Sequence, residues 1–90
     1  MRIPANAKTI GAHAFSGIAA EVVYVPDGCG TLGARAFANC PNLRQIRLPK
    51  DCDIDPAAFF GCPSLTAIFA PAGGSTKAWA TENGYGFKGE

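Results

Sequence analysis

Residues 32–49, LGARAFANCPNLRQIRLP, decide the fold of this chain. Related versions of the stretch occupy residues 10–26 and residues 54–71. Repetition at a short fixed period predicts a repeat protein, in which each unit cannot bury its apolar side alone and packs on its neighbours.

Three series of residues recur in register along the chain. The prolines are spaced by 22, 23 and 22 residues, and the phenylalanines and aliphatic residues by 22 and 22. We therefore predict a single domain, residues 1–90, with repeats at about 1–26, 27–49 and 50–71 and a C-terminal cap at 72–90. The three series are Pro4, Pro26, Pro49 and Pro71; Phe15, Phe37 and Phe59; and Ile10, Leu32 and Ile54.

A short alternating run precedes each proline. In residues 46–48 this pattern places Ile46 and Leu48 inward and Arg47 outward, as in a half-buried strand. Proline then ends the strand because it cannot donate the next backbone hydrogen bond. The runs predict one parallel sheet with one strand per repeat, and residues 1–3 are the end of a first run.

The segment after each proline predicts a bend and then one helical turn. Gly11 and Gly33 suit positive φ or close backbone contact, whereas the third copy has Asp55 and is one residue shorter, so a local distortion is expected there. The Ala-Phe pairs that follow should face the interior, with the phenylalanines stacked one per layer. Cys40 and Cys62 continue this interior column.

The two ends of the chain differ. After Gly73-Gly74, Ser75 is expected to be a helix N-cap for residues 77–83, and Asn83-Gly84 to end that helix. Ala78, Trp79 and Ala80 should pack over the last repeat, followed by an extended piece at 85–87. At the start, the strand end Arg2-Ile3 is an open edge that predicts self-association with another chain.

Composition excludes several classes of function. Charged residues are 17% and the net charge is +1, without a long run of either sign, so the basic footprint of a nucleic-acid binder is missing. No apolar run approaches the length of a membrane span. The N-terminus MRIPANAK has no apolar signal-peptide core, so we expect an intracellular chain or a piece of a longer one.

The four cysteines do not have zinc-site spacing. They are 11, 12 and 10 residues apart, and we interpret them as buried or turn thiols. Two of them occupy equivalent turn positions in adjacent layers, which leaves a disulfide as the alternative. That pair is Cys29 and Cys52.

Three other groups have an alternative chemical interpretation. Asp51, Asp53 and Asp55 resemble the start of a calcium loop but lack its glycine and glutamate, so we interpret them as a solvated acidic turn, partly neutralised by Arg44, Arg47 and Lys50. The single histidine, His13, has no accompanying nucleophile motif, and is interpreted as a surface residue. An anion site at 73–75 lacks the rest of a phosphate-loop pattern.

The outward strand positions are the better binding candidates. Two residues before each proline, a row of arginine and aromatic side chains should line up across a concave sheet, and such residues dominate interface hot spots. The alternative is that these neighbours only stabilise the sheet by stacking. The row is Arg2, Tyr24, Arg47 and Phe69, and a parallel row beside it is Val22, Gln45 and Ala67.

These residues together resemble the BspA-type leucine-rich repeat of bacterial proteins. The unit IGxxAFxxCxxLxxIxIP reads here as IGAHAFSGIAAEVVYVP, LGARAFANCPNLRQIRLP and IDPAAFFGCPSLTAIFAP, and the ending APAGGSTKAWATENGYGF is similar to the usual closure of such arrays. The resemblance implies a right-handed leucine-rich-repeat solenoid of about three repeats plus a C-terminal helical cap. It also implies a cell-surface or secreted protein linked to adhesion and protein binding.

The sequence therefore predicts a non-enzymatic module that binds protein through its concave strand face, without a cofactor, a metal or a nucleic-acid partner. The alternative is a structural C-terminal fragment or spacer of a longer repeat array, with no ligand of its own. An enzyme would need a paired nucleophile or acid–base site, and the sequence offers no such pair.

Overall fold

The computed structural model describes residues 1–89 as a parallel β-solenoid of about four turns with a short C-terminal helix. The repeat period predicts such a stacked coil, and the architecture is consistent with the leucine-rich-repeat solenoid that the family resemblance implies. In chain order the elements are β1 (Thr9–Ile10), β2 (Val22–Tyr24), β3 (Thr31–Leu32), β4 (Gln45–Arg47), β5 (Asp53–Ile54), β6 (Ala67–Ala70), α1 (Ser75–Glu82) and β7 (Gly86–Gly89).

The runs before the prolines form one four-stranded parallel sheet, in the order β2-β4-β6-β7. Each strand is held directly over the next, so that Val23 pairs with Ile46 and Ile46 with Ile68. Residues 1–3 extend the sheet through a parallel bridge between Arg2 and Tyr24. The predicted strands are thus confirmed.

A second parallel sheet corrects the expectation of one sheet. The two-residue strands β1, β3 and β5 lie between each proline and the following turn, and they pair in the order β1-β3-β5. Each contributes one buried aliphatic side chain, Ile10, Leu32 or Ile54. A two-residue strand is too short to show alternation in the sequence, which is why the pattern gave no sign of it.

Stacked phenylalanines fill the space between the sheets and the turns. The ring centroids of Phe15 and Phe37 are 5.4 Å apart at 13° between planes, and those of Phe37 and Phe59 are 5.8 Å apart at 16°. Phe37 is fully buried and Phe59 is 3% exposed. The predicted ladder of one phenylalanine per layer is confirmed.

The segment around each phenylalanine is a series of tight turns, so the predicted helical turn is wrong. Alternate amides bond locally, as when Ala36 N–H donates to the Gly33 carbonyl (3.2 Å). The amides between them bond to the next layer, as when Phe37 N–H donates to the Ala58 carbonyl (2.8 Å). An α-helix would direct every amide along its own axis, so the layer-to-layer bonds exclude it.

The backbone has positive φ at positions other than Gly11 and Gly33, which the sequence indicated. Gly17 and Gly61 have φ of 77° and 75°, and Asn39 occupies the equivalent place with φ of 55°. Gly33 instead provides close contact, since a Cβ there would lie 2.9 Å from the Ala12 amide nitrogen.

In the third copy the Asp55 N–H donates to the Leu32 carbonyl (3.0 Å), as the Gly33 N–H donates to the Ile10 carbonyl (2.7 Å), so the backbone bonding is kept at this position and the expected distortion is wrong there. The Asp55 carboxylate also accepts the Ala57 N–H (2.8 Å).

The C-terminal cap differs from the prediction in how it is attached. Gly74 is the N-cap, and Ser75 is the first helical residue, so Ser75 is not the predicted N-cap. Asp51, from the preceding layer, accepts the Ser75 N–H at 2.9 Å, and the buried Thr76 hydroxyl donates to the Pro49 carbonyl at 2.6 Å. These bonds tie the start of α1 to the third repeat.

The far side of the cap closes the aromatic ladder. Trp79 and Tyr85 both meet Phe59 edge-on, with centroids 5.8 and 6.1 Å away, and Ala80 is fully buried. Ala78 is exposed, so its predicted packing is wrong. The predicted extended piece is β7, which adds a fourth strand beside β6.

We predict that Phe37→Ala destabilises the protein by about 3–5 kcal/mol, because it leaves a cavity between two stacked rings. The measurement is urea denaturation followed by circular dichroism. Phe60→Ala is the matched control: this ring is 56% exposed and lies under the Arg35 guanidinium, so its loss should cost about 1 kcal/mol or less. Equal losses from the two variants would contradict the stacked core.

Candidate binding surface

The register of the four-stranded sheet brings the predicted row of side chains together. Arg2 pairs with Tyr24, Tyr24 with Arg47, and Arg47 with Phe69, all on the side facing away from the core. The next strand adds Lys88, which pairs with Phe69. We call these five residues the outer row: Arg2, Tyr24, Arg47, Phe69 and Lys88.

The sequence pattern did not indicate Lys88, because this residue does not follow the repeat period. The step from Phe69 to Lys88 is shorter than the 22- or 23-residue period, because α1 and its loops replace the usual path of the chain. A search at the repeat period therefore passes over it. The alternating residues 86–89 give the only sequence signal, and it is weak because two of the four are glycine.

The second predicted row lies beside the outer row. Val22 pairs with Gln45 and Gln45 with Ala67, and β7 continues this row with Gly86. The row is uncharged and ends in small residues. It forms one wall of a shallow depression of about 200 Å³, which is lined by Val22, Gln45, Tyr24, Arg47 and Phe69.

Exposure along the outer row is uneven. Tyr24 is 45% exposed, and the Arg2 guanidinium carbon lies 4.9 Å from the centroid of its ring, in cation–π geometry. Arg47 and Phe69 are half-buried, whereas Lys88 is exposed. A second depression of about 490 Å³ reaches from Arg2 and Tyr24 toward Pro26. The two depressions share Tyr24 and Arg47 and together follow the row.

The ion pairs around this surface differ from those expected. Arg47 forms an ion pair with Asp27, and Arg44 with Glu21 at 3.8 Å. The expectation that the acids at 51, 53 and 55 neutralise these arginines is wrong for Arg44 and Arg47. Glu21 and Asp27 lie one layer away, and side chains one layer apart are the nearest neighbours in a solenoid.

Three other candidate sites were an anion site at the start of α1, a metal site and His13. The Asp51 carboxylate occupies the start of α1, so the segment 73–75 binds that side chain and is not open to an anion. Within residues 1–89, no three histidine, cysteine, aspartate or glutamate side chains are grouped so as to hold a metal ion. His13 is exposed on a turn of the first layer, with φ of 61°.

The four cysteines are free thiols held in the interior or at its edge. Cys29, Cys40 and Cys52 are buried, and Cys62 is half-buried with its thiol donating to the Phe37 carbonyl at 2.9 Å. Burial raises the pKa of Cys62, and burial together with the neighbouring Cys29 raises the pKa of Cys52 from 9.0 to about 12. Both thiols therefore stay protonated near neutral pH, which does not favour nucleophilic chemistry.

Comparison with known proteins agrees with this geometry. The family model described as BspA type Leucine rich repeat region (6 copies) matches residues 1–78. The chain belongs to the BspA-type leucine-rich-repeat family. The match runs through the repeats and into the start of α1, so it includes every strand of the outer row except β7. No curated protein and no solved structure matches this leucine-rich-repeat chain.

Across residues 1–89 the structure has no helix with the length and apolar character needed to cross a bilayer.

We predict that the stability of this leucine-rich-repeat chain falls as pH rises above about 9. The folded-state pKa of Cys52 lies above its ordinary value, so between pH 9.0 and about 12 the unfolded chain releases a proton that the folded chain retains. The contribution is complete below pH 9 and is lost with increasing pH, by at most about 1.4 kcal/mol per pH unit for one proton. Urea midpoints measured in reducing buffer at several pH values test this.

Cys52→Ala should flatten that pH dependence, whatever its effect on stability at pH 7. A midpoint that stays constant from pH 8 to pH 10.5, or an unchanged slope in Cys52→Ala, would show that this thiol is not held protonated by the fold.

Proposed function

We propose that this chain is a non-enzymatic protein-binding module whose partner docks on the outer face of the four-stranded sheet. The observation that carries the proposal is the outer row, a continuous line of arginine and aromatic side chains with two adjoining depressions. Family membership supports it, because leucine-rich-repeat proteins are often found in protein binding or adhesion. A role in adhesion at a cell surface is the finer part of the proposal.

The composition of the outer row suits recognition of a protein. Tyrosine, tryptophan and arginine carry a large share of the energy in interfaces, because they combine a wide contact area with a polar group. Tyr24, Arg47 and Phe69 stand on strands that are paired on both sides, so little ordering of these side chains is needed when a partner binds. The uncharged row at Val22, Gln45 and Ala67 provides flat contact beside them.

The surface is separable from the core. Tyr24 is exposed, whereas the residues before and after it, Val23 and Val25, are 0% and 1% exposed. The same alternation places Phe69 between the buried Ile68 and Ala70. Outward side chains can therefore be removed while the inward ones hold the layers together.

We predict that the double substitution Tyr24→Ala with Phe69→Ala abolishes partner binding and changes the melting temperature by only a few degrees. Immobilised wild type, double variant and Phe60→Ala control are exposed to one extract of the source cell, and captured proteins are quantified by mass spectrometry. Phe60 is similar in size to Tyr24 and somewhat more exposed (56% against 45%) but lies off the sheet, so it controls for loss of surface area. The expected partner is captured by wild type and control and is lost from the double variant.

Capture of the same proteins in equal amounts by the double variant would contradict this assignment of the binding face.

A second candidate function is structural: the chain would stack end to end on another coil. The exposure of the first layer favours it. Ala14 is exposed and Phe15 is half-buried, although their equivalents Ala36 and Phe37 are both 0% exposed. The other end of the solenoid is covered by α1 and β7. The uncovered layer would accept another coil of the same kind or a second copy of this chain.

We propose self-association through the edge at Arg2. Ile3 N–H donates to the Tyr24 carbonyl and Tyr24 N–H to the Met1 carbonyl, so the N–H of Arg2 points away from Tyr24 toward the open side. Sedimentation velocity over a range of concentrations should show a dimer for wild type and for Arg2→Gln. Arg2→Pro also loses the charged side chain, as Arg2→Gln does, but it additionally lacks the outward N–H donor and should remain monomeric.

A monomer at every concentration, or a dimer that persists in Arg2→Pro, would count against pairing at this edge.

A further inference from the structure

The outer row alternates between cations and aromatic rings. From one edge of the sheet to the other, its members are Arg2, Tyr24, Arg47, Phe69 and Lys88, each on a neighbouring strand. The cations thus stand on every second strand, with one ring between each pair. The alternation results from strand pairing, because these residues are widely separated in the sequence.

The spacing of the cations is set by the sheet. Neighbouring strands lie about 4.8 Å apart, so the backbone positions that carry the cations, on alternate strands, are about 9.6 Å apart. A peptide in the polyproline II conformation has three residues per turn and rises about 3.1 Å per residue, which places every third side chain on the same side at intervals of about 9.3 Å. The two intervals nearly coincide.

A β-strand ligand does not have this spacing. Its side chains on one face recur every second residue, at about 6.6 Å, and every fourth residue lies about 13 Å away. Neither interval matches backbone positions about 9.6 Å apart. The backbone interval of the row therefore matches the polyproline II repeat better than the β-strand repeat.

We propose that the outer row binds an acidic peptide segment in the polyproline II conformation, which crosses the strands and carries an aspartate or glutamate at every third position. The proposal rests on the protein-binding function proposed above and specifies its partner class. Each carboxylate pairs with one of Arg2, Arg47 and Lys88, and the residues between them pack on Tyr24 and Phe69.

The charges at the surface are consistent with such a ligand. Arg2 and Lys88 are exposed, and the second row beside them is uncharged. Arg47 forms an ion pair with Asp27, whose side chain is 76% exposed. The Arg47 side chain is only 21% exposed, but the Asp27 carboxylate is exposed, so a carboxylate of the ligand competes with Asp27 for the Arg47 guanidinium.

The rings provide the apolar half of the site. Aromatic side chains in shallow grooves are the usual partners of polyproline II segments, because proline rings pack on them without further loss of conformational freedom. Tyr24 and Phe69 flank Arg47 and line the depression of about 200 Å³. A proline-rich spacer between the acids therefore fits the row.

The experiment uses a fluorescein-labelled peptide of Glu-Pro-Pro repeats and measures fluorescence anisotropy with the whole chain. The first control is a peptide of the same composition, shuffled so that the glutamates are no longer three residues apart. A second control is single-stranded DNA, which tests for general attraction of polyanions. The expected result is saturable binding of the repeat peptide, weaker binding of the shuffled peptide and still weaker binding of DNA.

Two charge-removing variants locate the site, and a third is their control. Arg2→Gln and Lys88→Gln should each weaken binding of the repeat peptide about fivefold, the loss expected for one exposed ion pair. Lys8→Gln is the matched control, since it removes the same charge from an exposed position outside the outer row. Lys88→Gln also serves where Arg2→Gln disturbs the stacking on Tyr24.

Three outcomes would overturn the proposal. They are equal binding of the repeat and shuffled peptides, equal or tighter binding of DNA, and equal effects of Lys8→Gln and Lys88→Gln. Failure here is distinguishable from failure of the proposed function. If the repeat peptide does not bind, yet Tyr24→Ala with Phe69→Ala still loses captured proteins, the binding face stands and only the partner class is wrong.

Discussion

Each coil of this protein must return the chain to the same lateral position, one strand spacing further on. The backbone bonds between layers enforce this, since both sheets and the amides of the turns pair with the next coil. The stacked rings of Phe15, Phe37 and Phe59 fill the interior that the coils enclose. In a repeat protein of this kind, the nearest-neighbour contacts between layers supply most of the stability.

The same register between coils also positions the side chains on the outer surface. Register places Ile46 over Ile68 inside the sheet, and it simultaneously places Arg47 beside Phe69 outside it. A core residue and its outward neighbour are thus positioned by one set of hydrogen bonds. The outer row is for this reason a property of the stack, and no single repeat contains it.

The sequence was sufficient for features that repeat at the full period. The strands before the prolines and the phenylalanine ladder follow from columns of like residues, and the cap begins where those columns stop. Features that depend on hydrogen bonds between layers could not be predicted from the sequence. The tight turns at residues 33–38 read as a helical turn because a local pattern does not show that alternate amides donate to the next coil.

The attachment of the cap illustrates the same limit. Ser75 has the side chain of a good N-cap, but the helix starts one residue earlier because Asp51 of the neighbouring layer accepts its N–H. Within the candidate binding surface, the part of the outer row from Arg2 to Phe69 was predicted from the repeat period alone. Lys88 was not, because α1 interrupts the period before β7 joins the sheet.

Stacking of equivalent side chains, one layer apart, is the central claim, and aromatic nuclear Overhauser effects test it most directly. Selective labelling of phenylalanine allows contacts between ring protons to be assigned by residue. The account predicts effects between Phe15 and Phe37 and between Phe37 and Phe59, and none between Phe15 and Phe59, whose rings are separated by Phe37. Absence of the first two, or a direct contact between Phe15 and Phe59, would contradict the layered architecture and the surface that depends on it.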